Sequence, residues 1–343
     1  MGHDGSQENE SANERPLLAL TCGDPCGIGP EIVLKALADE ECVAAARLLA
    51  IGDEKHLRRT ARDLKLKWPF SSVVTEPPSG RRWGRPQLFD LGNVDQGVLP
   101  GQISAQAGRA AGESIEKAAR LALDEQVDGV VTAPIQKQSL SLAGYEDSGH
   151  TELLARLSGL ASDRVGMLFY AESLSVALLT THLAVKDAVK KIRTGRIVRM
   201  LQLFDREWKR FFGEAPRIAV AALNPHAGEG GRFGVEESRY IVPAVAKART
   251  KKLSVTGPFP ADSVFARARQ GEFDLVLALY HDQATIPVKL LYGQESVNVT
   301  VGLPFVRTSV DHGTAMEIAG KGTASADSLV QAVRVGARLA AAG

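Results

Sequence analysis

The sequence lacks the features that mark membrane proteins and nucleic-acid-binding proteins. None of its apolar runs approaches the roughly 18 to 20 residues that a membrane-spanning helix needs. Its 41 Lys and Arg residues are matched by 40 Asp and Glu residues, which gives a formal net charge of +1. Surfaces that bind nucleic acid or an anionic membrane require an excess of basic residues. We therefore expect neither nucleic acid nor a membrane as a partner.

A secretory signal and a disulfide framework are also missing. Residues 1–15 are polar and have no apolar core, so we expect a disordered tail there. Cys22, Cys26 and Cys42 are an odd number of cysteines, which argues against paired disulfides and fits a reducing cytoplasm. The Cys22-x-x-x-Cys26 spacing leaves a metal or redox site open, but no second cysteine pair completes one. We favour two small apolar side chains that line a turn.

Several common enzyme signatures do not occur. There is no G-x-S-x-G, hence no nucleophile elbow, and the glycine loop of residues 23–29 matches neither G-x-G-x-x-G nor a P-loop. Pro30 follows this loop where a first helical residue is expected, so the segment predicts a strand, a loop and a helix. Such a helix start favours an anion, although a tight turn without a ligand explains the segment equally well.

The sequence does contain short apolar runs that alternate with amphipathic segments. The predicted strands are 16–23, 46–52, 128–134, 164–171, 174–182, 217–223, 274–280 and 296–302. The predicted helices are 30–37, 54–64, 104–126, 198–212, a segment from about 236, and 326–342. The fourth and fifth strands predict a hairpin, and Ser148 or Thr151 is expected to cap a further helix. Alternating strands and helices predict an α/β protein.

The segment from Tyr280 to Thr314 contains many of the candidate functional residues. His281 and Asp282 follow a predicted buried strand directly, at the sheet edge where α/β proteins bind ligands. After the strand 296–302, residues 303–313 are predicted as a polar loop that contains Arg307. A charged surface turn would explain these residues without function. We favour a site for an anion beside a metal, because Lys and Arg suit the anion and His and Asp suit the cation.

Three histidines share one position relative to the predicted strands. His182, His226 and His281 each stand at or within a few residues of the end of a buried strand. If these strands share a sheet, the three imidazoles converge on one edge, and three His with open positions form the ligand set of a catalytic divalent metal. The alternative is three unrelated histidines that each bond to the backbone. Five of the seven His residues lie in polar turns, most of them just after strands, which favours the metal.

The chain resembles the 4-hydroxythreonine-4-phosphate dehydrogenase (PdxA-like) family over almost its whole length after residue 16. The matching segments are GDPCGIGPEI, GHTELLA, TTHLAVKD, LNPHAGEGGRFGVEE, GPFPADS, YHDQATIPVK and VNVTVGLPFVRTSVDHGTAMEIAGKG. The resemblance implies an isocitrate/isopropylmalate dehydrogenase-like α/β fold, with residues 16–343 as one catalytic unit of two interleaved α/β subdomains and a cleft between them. It also implies NAD or NADP, a divalent metal and a homodimer with a shared active site.

The resemblance also assigns site residues. The metal ligands it implies are His182, His226 and His281, the last supplied across the dimer interface. The substrate-binding residues it implies are His150, Thr151, Lys289, Asn298 and Arg307. Asp262 and Asp282 match acidic residues near the substrate, and Asp262, Asp282 or Lys289 is expected to accept the proton in catalysis.

Some motifs contain residues that differ from those of the biosynthetic enzymes. Ala284 follows HDQ where those enzymes usually have Gly, Arg232-Phe233 stands where they often vary, and the first loop reads GDPCG. The segments IPVKLL and GHTELLA look closer to paralogues that act on D-threonate or D-erythronate 4-phosphate, or on cis-dihydrodiol carboxylates. The presence of His150, Lys289 and Arg307 favours a phosphorylated substrate.

We therefore expect a cytoplasmic enzyme of pyridoxine biosynthesis or a close paralogue. It would use NAD(P) and a divalent metal (Zn, Mg, Co or Mn) to oxidise and decarboxylate a phosphorylated 3-hydroxy acid, 4-hydroxythreonine 4-phosphate or a close analogue. Two other classes stay open. One is a non-catalytic phosphosugar-binding protein, since a fold does not guarantee a function. The other is a phosphate acyltransferase-like enzyme, which would not need three histidines.

Overall fold

A computed structural model describes residues 15–76 and 84–342. The predicted disordered tail lies outside these residues apart from Arg15. The chain divides into two compact units. The first comprises Met1–Ser162 and Leu303–Ala341, and the second comprises Asp163–Gly302 with the last two residues.

The secondary structure alternates between strands and helices, as the apolar runs predict. In chain order the strands are β1 (Leu17–Thr21), β2 (Arg47–Gly52), β3 (Ser72–Val74), β4 (Gln87–Asp90), β5 (Gly129–Thr132), β6 (Gly166–Ala171), β7 (Leu174–Leu178), β8 (Ile218–Ala221), β9 (Val255–Phe259), β10 (Leu275–Ala278), β11 (Val297–Val301) and β12 (Val306–Ser309). The helices are α1 (Gly29–Ala36), α2 (Glu40–Ala45), α3 (Glu54–Asp63), α4 (Ala105–Leu123), α5 (Lys137–Leu142), α6 (His150–Leu157), α7 (Val185–Lys191), α8 (Thr194–Phe212), α9 (Val242–Thr250), α10 (Ala261–Arg269), α11 (His281–Tyr292) and α12 (Asp327–Ala342). The predicted α/β class is confirmed.

The first unit contains six parallel strands in the order β3-β4-β2-β1-β5-β12. Its inner strands are buried along their whole length. Parallel strands covered on both faces read as nearly continuous apolar runs, which is why LLALT and RLLAIG show no alternation. Side chains cap the flanking helices: Asp53 accepts a hydrogen bond from the His56 N–H at the start of α3, and Ser104 does the same for Ala107 in α4.

The second unit contains strands in the order β11-β6-β7-β10-β8-β9. The predicted hairpin is confirmed, because β6 and β7 pair antiparallel. From β7 onward the pairs are parallel, so β7, β10 and β8 end at the same edge of the sheet. Apolar residues of β6, β7, β8 and β10 pack with those of α10 and α11 in one core cluster. This order decides where the predicted metal ligands lie.

Two sequence predictions are wrong in detail, and one helix was not predicted. Residues 303–313 are not a loop throughout, because β12 is a buried strand within them. Its polar side chains have partners inside the unit: the Thr308 hydroxyl donates to the Ala332 carbonyl at 2.7 Å. The residues after β10 form α11, which the internal Pro287 obscured in the sequence. Helix α6 is capped by Gly149 without a side-chain hydrogen bond, and neither Ser148 nor Thr151 is its cap.

Within residues 15–76 and 84–342, no helix is long and apolar enough to cross a membrane.

Candidate active site

In the first unit, three of the five substrate-binding residues that the resemblance implies, His150, Thr151 and Arg307, lie on α6 and on β12. This helix begins at His150 and continues with Thr151. The N-cap position is Gly149, which offers no side chain to the backbone N–H groups of the first turn. Such uncapped N–H groups, together with the helix dipole, attract negative charge. The helix start alone is weak evidence for an anion site. The neighbouring side chains determine whether an anion would bind there.

Arg307 is the buried charge of this region. It lies on β12 opposite Val130 of β5 and is only 2% exposed. Its Nη2 donates to the Thr132 hydroxyl at 2.7 Å, at the carboxyl end of β5. Burial lowers the pKa of the guanidinium to about 9, and the nearby Glu152 carboxylate opposes that shift. Arg307 is therefore still a cation at neutral pH.

His150 has a buried ring nitrogen that is available to a ligand. Its Nε2 atom is buried and makes no hydrogen bond. Burial lowers the pKa of the imidazole well below its ordinary value, and the cations Arg307 and Lys137 lower it further. The ring is thus neutral at neutral pH. We call His150, Thr151 and Arg307 the anion cluster, because a buried cation beside an unsatisfied imidazole and an open helix start suits an anionic ligand.

In the second unit, two of the three predicted metal ligands lie side by side. His182 follows β7 and His281 follows β10, and these strands are parallel neighbours. Their ring centroids are 5.3 Å apart. His281 Nδ1 lies 2.7 Å from an Asp282 carboxylate oxygen. With the proton on Nδ1, the carboxylate orients the ring and leaves Nε2 as the metal-binding atom. We call His182 and His281 the histidine pair.

The third predicted ligand occupies the neighbouring loop. His226 follows β8, which pairs with β10 on the side away from β7. It is exposed and has a left-handed backbone with φ of +51°, as do the four residues after it. Such a run is costly for residues other than Gly. The Glu237 carboxylate holds the loop by accepting hydrogen bonds from the N–H groups of Leu223 and Asn224.

The convergence of the histidines is therefore partial. All three stand at one edge of one sheet, but only His182 and His281 have their rings in proximity. Among the residues that the structure describes, no group of three His, Cys, Asp or Glu side chains is close enough to hold a metal. The donor set itself fits a divalent ion, since a neutral imidazole with a carboxylate behind it is a common ligand for Zn²⁺.

The remaining predicted site residues occupy separate elements of the second unit. Asp262 is exposed in the first turn of α10, and Lys289 is exposed in the last turn of α11. Asn298 lies on β11, and its side-chain oxygen is buried without a hydrogen-bond partner. Such an orphaned polar atom fits a group that bonds to a ligand.

Two contributions were not predicted from the sequence. Thr132 anchors Arg307, and its position at the end of a predicted buried strand was the available signal. Lys137 acts electrostatically on His150, although thirteen residues separate them in the sequence. Sequence spacing does not show this, and only the structure reveals that the Lys137 side chain lies beside Gly149 at the start of α6.

The fold and these residues define the chain as a member of a known enzyme family. Residues 44–336 match the family model described as pyridoxal phosphate biosynthetic protein PdxA, so the chain belongs to the PdxA family. This confirms the resemblance found in the sequence. The three predicted ligand histidines and the anion cluster all lie within the matched residues.

Three individual relatives show which enzymes of the family this chain is similar to. The chain is 44% identical to the D-threonate 4-phosphate dehydrogenase of Cupriavidus necator, with 95% of this chain and 97% of the relative covered. It is 41% identical to the 4-hydroxythreonine-4-phosphate dehydrogenase of Geobacter metallireducens, with 96% of each covered. The crystal structure of 4-hydroxythreonine-4-phosphate dehydrogenase from Klebsiella pneumoniae superimposes with a TM-score of 0.87 at 40% identity, covering 95% and 98% of the two chains. All three relatives are dehydrogenases, which supports an oxidoreductase activity here.

Proposed function

We propose that this protein is an NAD(P)-dependent dehydrogenase that oxidises and decarboxylates a phosphorylated 3-hydroxy acid with the help of a divalent metal. The observation that carries the metal part is the pairing of His182 and His281, with Asp282 behind His281. The names of the relatives supply the reaction class. A non-catalytic phosphosugar-binding protein would have no use for such a histidine pair.

The residues proposed to hold the metal are His182, His281 and His226. Zn, Mg, Co or Mn bound there would supply Lewis acidity toward the substrate hydroxyl and the oxygen beside it. The adjacent ends of β7, β10 and β8 support a set drawn from a single chain. This geometry favours His182 and His281 as ligands from the same subunit, in place of the expected supply of His281 across a dimer interface.

The proposed roles of the other residues follow their chemistry. The anion cluster would bind the phosphate by charge-assisted hydrogen bonds, and Lys289 and Asn298 are kept as further substrate-binding residues. Asp282, Asp262 and Lys289 are the candidates for the group that accepts the hydroxyl proton. Asp282 already orients His281, so its loss would also weaken the metal site.

The phosphorylated substrate is D-threonate 4-phosphate, 4-hydroxythreonine 4-phosphate or D-erythronate 4-phosphate. The relatives include enzymes named for the first two. A cis-dihydrodiol carboxylate is less compatible with the site, because it has no phosphate to offset the buried charge of Arg307.

A substrate panel tests the proposal. The three phosphorylated acids, their dephosphorylated forms and a cis-dihydrodiol carboxylate are each supplied with NAD or NADP, and absorbance of the reduced nicotinamide is followed. The same panel is then repeated with metal-free protein that has been reloaded with each divalent ion in turn. We expect reduction only with a phosphorylated acid and an added metal. Equal turnover of phosphorylated and dephosphorylated acids, or full turnover after complete chelation, would refute the proposal.

We also propose that the protein forms a homodimer and acts in the cytoplasm; in such a dimer the active site that the resemblance implies to be shared would take its three metal ligands from one chain. Exposed apolar side chains on α11 support the dimer, chiefly Leu290 at 82% and Ile286 at 64% exposure. Leu290→Lys should shift the protein toward monomer in light scattering. Leu142→Lys in the first unit, at a site 57% exposed, is the matched control. A dimer unchanged by Leu290→Lys would place the interface elsewhere.

A further inference from the structure

The start of α6 lies among charged side chains from several elements of the first unit. Arg307 is buried and cationic, and its charge helps to keep His150 neutral. A second cation, Lys137, comes from the first residue of α5. The Glu152 carboxylate acts on Arg307 and offsets part of this positive charge. An anionic ligand would offset the charge further, which lowers the free-energy cost of holding two cations near a buried imidazole.

The backbone geometry shows that Lys137 lies at this helix start. The extended N-cap residue Gly149 has room beside it for a Cβ atom. Such an atom would meet Lys137 Cε at 3.6 Å and a Glu152 carboxylate oxygen at the same distance. The Lys137 side chain therefore runs alongside the N-cap of α6. Its residue is exposed, so the ammonium stays hydrated until a ligand arrives.

The anion cluster has an unsatisfied group that Lys137 does not satisfy. The buried Nε2 of His150 has no hydrogen-bond partner, and in the tautomer that carries the proton on Nε2 an ammonium cannot serve as one, because it has only donors. A single anionic oxygen group between them would accept from Lys137 and from Nε2–H together. The same group would accept from the uncapped backbone N–H groups of α6. Phosphate has the acceptor number and the double charge that such a set requires.

We propose that Lys137 is a further substrate-binding residue, which contacts the phosphate with His150 and Arg307 and makes the cluster selective for a doubly charged anion. The inference deepens the proposed function and rests on it for the identity of the ligand. Arg307 supplies one positive charge from β12 and Lys137 supplies the second from α5, while the Glu152 carboxylate offsets part of that charge. A doubly charged phosphate would offset the remainder better than a singly charged carboxylate, and it has more oxygen atoms to accept the hydrogen bonds.

The first test uses inorganic phosphate and needs no turnover. The full-length protein is melted in phosphate, in acetate and in chloride at equal ionic strength. We expect a phosphate-specific rise in melting temperature for the wild type, for Lys137→Arg and for the control Lys55→Met, whose exposed lysine lies on α3. Lys137→Met should lose most of that rise. A wild-type-sized rise in Lys137→Met, or no phosphate-specific rise in the wild type, would overturn the inference.

The second test uses steady-state kinetics with the phosphorylated substrate that the panel identifies. A charge-assisted contact corresponds to roughly a ten- to hundredfold change in binding. Lys137→Met should therefore raise KM by about that factor while kcat changes little, and Lys137→Arg should restore most of the affinity. Wild-type KM in Lys137→Met would contradict the assignment. If no acid in the panel is oxidised but the phosphate-specific stabilisation depends on Lys137, the proposed function fails and the binding site stands.

Discussion

The anion cluster around His150 and the histidine pair of His182 and His281 differ in how fully their side chains are positioned before a ligand binds. In the first unit, the Nε2 atom of His150 is buried, Arg307 is nearly inaccessible, and both residues are positioned by a helix and a strand. In the second unit, the side chain of His281 is 35% exposed and its ring faces only one other predicted ligand. Under the proposed function, the first region is a preorganised anion site. The second region would become a metal site only when a metal and the third histidine join the pair.

This difference predicts where function and stability separate. A buried cation without its ligand costs folding free energy, so the anion cluster is held in place by the rest of its unit at some cost. Exposed histidines cost little folding free energy. We therefore expect the histidine pair to become ordered when the metal binds. Substitutions in the anion cluster should therefore change the stability of the ligand-free protein. Substitutions in the histidine pair should change stability only when the metal is bound.

The largest effect is expected at the histidine pair. His281→Ala or His182→Ala should remove the bound divalent ion and lower turnover by roughly a hundredfold or more, because an open three-ligand site has no spare donor. Metal content by mass spectrometry and steady-state turnover measure this. The melting temperature of the metal-free protein should not change, since both side chains are accessible to solvent. A stoichiometric metal with full turnover in either variant would remove that residue from the metal site.

The next effect concerns the buried cation of the anion cluster. Arg307→Met keeps the volume and removes the charge, so KM for the phosphorylated substrate should rise roughly ten- to hundredfold. The ligand-free protein should be as stable as the wild type or more stable, because an apolar side chain replaces a buried charge. Denaturant unfolding without phosphate checks the second half. Strong destabilisation of the ligand-free variant would mean that Arg307 is a structural residue.

A smaller effect is expected at the carboxylate behind His281. Asp282→Asn keeps the shape but removes the charge that orients the ring, so metal affinity should fall about tenfold. Competition with a chelator gives the affinity, and the exposed Glu295→Gln is the matched charge control. If Asp282→Asn binds metal normally but loses turnover, Asp282 is the proton acceptor and not the orienting group.

The smallest effect is a pH dependence in the anion cluster. The folded state lowers the pKa of His150 below its unfolded value of about 6.5. The stability contributed by the neutral ring is therefore present above that pH and is lost as the pH falls through it, by up to about 1.4 kcal/mol per pH unit. Unfolding of His150→Gln between pH 7 and 5 should show a shallower slope than the wild type. In Arg307→Met, NMR should show the imidazole pKa moving back upward, and an unmoved pKa would exclude electrostatic coupling between the two residues.

Much of the fold was predictable from the sequence, because buried parallel strands appear as apolar runs such as LLALT. The parts that failed were those in which tertiary contacts override local pattern. The β12 strand carries Arg307, whose Nη2 donates to the Thr132 hydroxyl, and Thr308, whose hydroxyl donates to the Ala332 carbonyl. Such pairings are invisible in a sequence. Helix α11 contains Pro287, which argues locally against a helix.

The candidate site was predictable in its residue types but not in its grouping. Their position after strand ends identified His182, His226 and His281, and the strand order explains why the first and last come together. The role of Lys137 depends on the position of its side chain beside Gly149 at the start of α6, which no spacing rule contains. Similarly, the orientation of His281 by Asp282 follows from a helix start that the sequence did not reveal.

The most direct test of the central claim is activity in mixed dimers of two inactive variants. If His182 and His281 serve the same metal from the same chain, a dimer of one His182→Ala chain and one His281→Ala chain has a lesion in both sites. Chains with different tags are co-refolded, heterodimers are purified through both tags, and a heterodimer of wild type with His182→Ala shows that a single intact site gives about half the turnover. We predict no recovery in the dimer of the two variants. Recovery to about half of wild-type turnover would show that His281 is supplied across the interface and would contradict a histidine pair within one chain.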